Sequence, residues 1–177
     1  MPLSEIDKLL DSVYYEVRMG AVSIMDFQAR AKSTTAGQRK ALYALYLGRH
    51  DRINNWDLVD RAAPYVVGGY LADKPRDILY SLARSRSPWE RRTAIVSTYY
   101  FIRRGEVGDT FGIAALLVHD SHTLVQKAVG SWIREAGKKD QKRLLDFLDA
   151  HMASMPKVML RCAIEKLPPV VRARYLG

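Results

Sequence analysis

A single cysteine, Cys162, stands in 177 residues, so no disulfide can form within the chain, and a reducing compartment is the simplest setting. No apolar stretch approaches the roughly 18 residues needed to span a bilayer. The opening "MPLSEIDKLL" lacks the basic and apolar regions of a secretory signal, which predicts a cytoplasmic address and no membrane association. Glycine-rich phosphate loops of the Walker or dinucleotide type are missing. Four histidines supply one H-x-x-H pair, His119 and His122, with no third ligand in reach of the pattern, so no metal site is expected. No segment reads as a convincing strand.

Acidic side chains are also scarce, at 19 against 28 Lys and Arg, for a formal net charge of +9. A surface of that sign gains affinity for polyanions by releasing the counterions condensed on them. Composition does not separate DNA, RNA and acidic lipid. The hydrophobic fraction of 48% and charged fraction of 27% are those of an ordinary soluble protein, and the length suits one domain or one modest repeat array, here residues 1–177.

What the chain does have is helical periodicity. In "VYYEVRMGAVSIMDFQARAK" the apolar positions Val17, Ala21, Ile24 and Met25 recur at helical spacing, and polar residues fill the other faces. The same holds for "QRKALYALYLGRH", "RDILYSLARS", "WERRTAIVSTYYFIRRG", "TLVQKAVGSWIREAG", "QKRLLDFLDAH" and "KVMLRCAIEKL". Gly37, Gly48, Pro75, Pro88, Gly105, Gly137, Pro156 and Pro168 punctuate them, and the pair Gly68-Gly69 predicts a bend or a close approach.

One feature recurs in alternate helices: a charged residue, then two small or apolar residues two and three positions later. The charged members are Arg18, Asp60, Arg92, Lys127 and Arg161, successively 42, 32, 35 and 34 residues apart, with a one-residue slip to Gln126 possible at Lys127. Such periods in helical sequence predict an all-α solenoid of paired helices, HEAT-like or armadillo-like, with an unrelated helical bundle as the alternative.

Stacked repeats would set these five residues in a row on one face. Four are basic, which suits a phosphate backbone, and Asp60 is the acidic exception. Asp60 is open to three readings: a structural ion pair with Arg61, Arg91 or Arg92, a contact to a cationic ligand, or a misaligned row. In "NNWDLVD", residues 54 to 60, a cap at Asn54 or Asn55 would place Trp56 and Asp60 on one helix face. An aromatic face beside a carboxylate can hold positive charge. Asp57, near the helix start, complements the helix dipole and reads as part of a cap.

Three ordered segments, "NNWDLVD", "WERRTAIV" and "KAVGSWIREAGKKD", with "HDRINNWDLVDRAAPYVVGGYL" around the first, resemble the AlkD-type DNA alkylation repair proteins, which are built from HEAT-like repeats. The likeness runs from about Glu16 to the C-terminus. It implies a DNA glycosylase that excises N3- and N7-alkylated purines, whose positive charge weakens the glycosidic bond. Most glycosylases extrude the target base into a pocket, whereas this family leaves it in the duplex and contacts backbone and sugar. The resemblance implies no metal or cofactor and a monomer acting on duplex DNA that contains alkylated bases, in the bacterial cytoplasm with the nucleoid. Asp60 matches the family's catalytic aspartate, Trp56 an aromatic on the lesion deoxyribose, and Arg92 a residue holding the DNA backbone. Arg91, Lys127 and Arg134 are further basic candidates for phosphates. The non-catalytic alternative is a DNA-structure binder that uses the same face.

The sequence departs from the family in two places. The family's second sugar-facing tryptophan falls at Ser131, and Trp132 lies one residue later, a turn of about 100° on a helix, so it is a DNA-facing candidate only if the helix is rotated or the alignment gapped. Family members carry additional helices before the segment matching "EVRMGAV", which implies a shortened array here. Cys162 is expected to be a core thiol. The tyrosines, among them Tyr99 and Tyr100, are expected mostly in helix interfaces, with one or two reaching DNA. The run Lys138, Lys139, Lys142 and Arg143 is expected to be a solvated turn.

Overall fold

Side-chain caps, prolines and glycines cut the periodic sequence into short helices, and the computed structural model describes them over residues 1–176. The helices are α1 (Leu3–Leu10), α2 (Tyr15–Arg30), α3 (Ala36–Gly48), α4 (Trp56–Ala62), α5 (Asp77–Leu82), α6 (Pro88–Ser97), α7 (Tyr99–Arg103), α8 (Gly108–Leu117), α9 (Thr123–Gly137), α10 (Gln141–His151), α11 (Lys157–Ile164) and α12 (Pro169–Leu176). A π-helical segment, Ala63–Gly68, continues α4. No strand occurs among the described residues.

Local chemistry accounts for the ends. Thr35 and Gln38 form a reciprocal capping box at α3, Asn55 accepts from the Trp56 amide at the start of α4 (2.8 Å), and Asp140 accepts from the Arg143 amide at α10 (2.9 Å). Pro64 ends α4, because a proline has no amide proton for the bond back to residue 60, and the backbone widens into the π segment instead. The run "WERRTAIVSTYYFIRRG", predicted as one helix, divides at Thr98 into α6 and α7. There Ser97 donates its hydroxyl to the Thr93 carbonyl and Thr98 donates to Ile95, both at 2.7 Å, and such back-bonding bends helices. Helix α8 escaped the periodicity because apolar residues surround it almost completely, with Phe111, Ile113, Ala114 and Leu117 all buried.

The helices stack as the recurring motif predicts. Helices α2, α4, α6, α9 and α11 pack each against the next, and α1, α3, α5, α8 and α10 form a second layer beside them. The chain is thus an all-helical repeat array. The five charged residues of the motif fall one on each inner-layer helix, and the small pairs that follow them are mostly buried: Ala21, Ala62, Ala63, Ala94, Ile95, Val129, Ala163 and Ile164. Small size matters where backbones nearly touch. A Cβ on Gly130 would lie 2.3 Å from the Met159 carbonyl of α11, and one on Gly68 would lie 2.2 Å from the Ser97 carbonyl of α6. No helix among the described residues is long and apolar enough to cross a membrane.

Candidate functional site

Helix α4 buries Leu58, Val59 and Ala62 and leaves the face carrying Trp56 and Asp60, one turn apart, at the surface. Trp56 is 45% exposed, unusual for so large an apolar ring. Both residues line an open cleft of about 420 Å³ between α4 and α2, together with Met19, Asp57, Pro64, Tyr65 and Tyr99. Asp26, Arg30 and Arg61 complete its lining, with the buried Asp26 carboxylate paired with Arg61 at 3.2 Å.

Asp60 is gripped from the next repeat. Arg92 Nε donates to Asp60 Oδ1 at 2.9 Å and Nη2 to Oδ2 at 2.7 Å, a two-point fork across 32 residues of sequence. Arg92 Nη1 donates to the carbonyl of Leu124, a further 32 residues along, so one guanidinium ties together three successive repeats. The Arg92 side chain is 7% exposed and that of Asp60 28%. Its Cζ lies 5.9 Å from the Trp56 ring centroid. Each carboxylate oxygen has lone-pair capacity beyond the one bond it accepts from Arg92, and the exposed part of Asp60 turns that capacity to the cleft. Burial pushes the Asp60 carboxyl above the usual aspartate range, Arg92 counteracts that, and neighbouring Asp57 adds to it. A carboxylate held in one orientation, partly stripped of water and flanked by an indole face, can stabilise a developing cation or orient a water molecule.

The other expected residues divide between the cleft and elsewhere. Arg92, 7% exposed, directs its fork to Asp60 and a third donor to the Leu124 carbonyl. Arg91 points away from Asp60: Nε and Nη2 fork the buried Asp120 at 2.6 and 3.1 Å, and Nη1 donates to the carbonyls of Ser85 and Arg86. Lys127 is exposed on α9 with no ion pair among the described residues. Arg134 is paired with Glu165, the residue that follows α11, and with Glu135. Trp132 is half-buried, donates its indole N–H to the Val96 carbonyl at 2.9 Å, and tilts against Tyr99 with ring centroids 5.8 Å apart. Asp57 accepts from the Leu58 amide at 2.9 Å and from the Tyr15 hydroxyl, so it braces the start of α4 against α2 as well as complementing the dipole. Arg18 braces the α1–α2 loop through the carbonyls of Ser12 and Val13 and reaches Asn54 at 3.4 Å.

The family model described as DNA alkylation repair enzyme matches residues 2–167, nearly the whole chain. The chain belongs to that family. No curated protein sequence matches it. Membership gives the protein a role in alkylation repair, with DNA as the partner.

The repair protein's cleft also contains residues that sequence reasoning did not place there. Tyr99 lines it directly and stands between the cleft and Trp132, so the ring nearest the cleft on this side comes from α7. Tyr65 comes from the π segment, which no periodicity signals. Arg61, although adjacent to Asp60, turns to Asp26 and lies over the Phe27 ring at 5.0 Å. The buried Asp26 could have drawn notice as an acidic residue within an otherwise apolar stretch, "SIMDFQA".

Proposed function

We propose that this protein is a DNA glycosylase of alkylation repair that hydrolyses the N-glycosidic bond of cationic N3- or N7-alkylated purines in duplex DNA, without a base-flipping pocket. The observation that carries this reading is Asp60: a pre-oriented carboxylate beside the exposed Trp56 ring, in a cleft open enough to receive a sugar and its backbone. As the C1′–N bond breaks, its electron pair leaves with the base, which departs neutral, and positive charge grows on the deoxyribose. Asp60 stabilises that charge more than it stabilises the ground state, and the Trp56 face adds cation–π attraction. A water oriented by Asp60 bonds to C1′, and its proton passes to the carboxylate and then to solvent. Arg92 is the positioning residue, holding both carboxylate oxygens in place. Exposed Lys127 and Arg161 contribute phosphate contacts along the same row.

The Arg92 fork also favours a second reading, in which Asp60 and Arg92 are simply a structural pair in a DNA-structure binder that releases no base. One measurement separates them. Release of N7-methylguanine from methylated duplex by Asp60→Asn should fall by roughly 10²- to 10³-fold, the usual cost of losing one preorganised electrostatic contact, while duplex affinity is kept. Equal release by variant and parent sinks the catalytic role of Asp60, and no release by the parent at any protein concentration together with salt-sensitive binding to branched or bulged DNA supports the binder.

A further inference from the structure

Next to the Asp60 cleft lies a second cavity of about 440 Å³, lined by Arg30, Arg39, Arg103, Tyr65 and Tyr100, with Ala29 and Gly69. Three guanidiniums and no carboxylate line it. Arg30 and Tyr65 line both cavities, so the two share a wall. Tyr65 organises the wall: its hydroxyl accepts from Arg103 Nη1 at 2.9 Å, and Arg30 Cζ lies 4.5 Å above its ring. Arg39 is oriented by one bond, from Nη2 to the Ala31 carbonyl at 2.8 Å. The nearest acid to any of them is Asp26, 3.5 Å from Arg30 and closer to Arg61.

Helix dipoles account for part of this clustering and leave part of it over. Arg30 ends α2 and Arg103 ends α7, where a cation offsets the carbonyl ends of the helices. Arg39 lies in the opening turn of α3, where the dipole disfavours a cation. Arg30 has Asp26 as a partial counter-ion, whereas Arg39 and Arg103 have no ion pair among the described residues, so an anion seated among the three relieves their mutual repulsion. Planar guanidinium forks suit phosphate oxygens in particular. At about 440 Å³ the open cavity has room for a phosphate group.

We infer that Arg30, Arg39 and Arg103 form a phosphate-binding pocket at the helix-end edge of the array, separate from the row along the inner helices, which grips a backbone phosphate of the DNA strand whose sugar lies in the Asp60 cleft. The assignment of the strand rests on the function proposed above, and the pocket's affinity for phosphate does not.

The test uses the full chain with Arg39→Gln/Arg103→Gln, beside Lys142→Gln on the far layer as a control, with circular dichroism to verify folding and Arg39→Lys/Arg103→Lys as a charge-retaining variant. Affinity for unmodified duplex is measured from 50 to 200 mM salt. The double Gln variant should reduce the slope of log K against log salt by about 1. The control and the double Lys variant should keep the parental slope. An unchanged slope in the folded double Gln variant, with stabilisation by inorganic phosphate also unchanged, overturns the pocket. Loss of stabilisation by inorganic phosphate with an unchanged duplex slope assigns the pocket to a free phosphate and overturns the strand contact. No base release from methylated duplex by the parent, with the slope reduced as expected in the double Gln variant, sinks the glycosylase reading alone.

Discussion

Arg92 and Asp60 sit one repeat apart and are joined at two points, and the same guanidinium reaches the backbone of the following repeat. The pair is therefore both a clasp of the array and the support of its candidate catalytic carboxylate. Arg92→Gln should destabilise the fold by about 3 kcal/mol, the low end for breaking a buried pair, because Asp60 is only partly enclosed. Urea unfolding with an unchanged m-value checks it, and a loss under about 0.5 kcal/mol would show the clasp to be dispensable.

The acid limb of base release should report Asp60. Its deprotonated form is the working one, so activity rises with pH through a carboxyl that burial has raised, and the half-point should lie above the ordinary aspartate value of 3.8. In Arg92→Gln the opposing influence of the guanidinium disappears, and the limb should move to still higher pH. A purely structural arginine would leave the limb where it is.

Trp132→Phe keeps a ring against Tyr99 and removes the N–H donated to Val96. It should cost about 1 kcal/mol of stability, the net worth of one hydrogen bond, and alter duplex affinity less than twofold. A tenfold loss of affinity in a variant of near-parental melting temperature would mean that the indole N–H side of the ring meets DNA.

Gly130→Ala adds a methyl group 2.3 Å from the Met159 carbonyl and 2.7 Å from Cys162 Cβ, which forces α9 and α11 apart. The expected cost is about 1–3 kcal/mol by thermal unfolding. Gly20→Ala meets nothing within 4 Å and should be neutral or slightly stabilising, since alanine is the better helix former.

Periodicity, caps and the recurring charge-plus-small-pair motif determined, from sequence alone, the helical class, the stacking order of the inner helices and the prominence of Trp56 and Asp60. These are properties of spacing, and spacing survives in one dimension. Only the tertiary structure decided how the side chains were used. The family match at Arg92 implied a phosphate contact, and among three candidate arginines the fork onto Asp60 fell to Arg92, because consecutive repeats bring residues 32 apart face to face. Arg91, one position and about 100° away, was turned to Asp120. Tyr99, Tyr65 and the arginine pocket arise where a bend at Thr98 and the π segment around Pro64 interrupt the regular helices, and distant segments meet at such interruptions without leaving a period in the sequence.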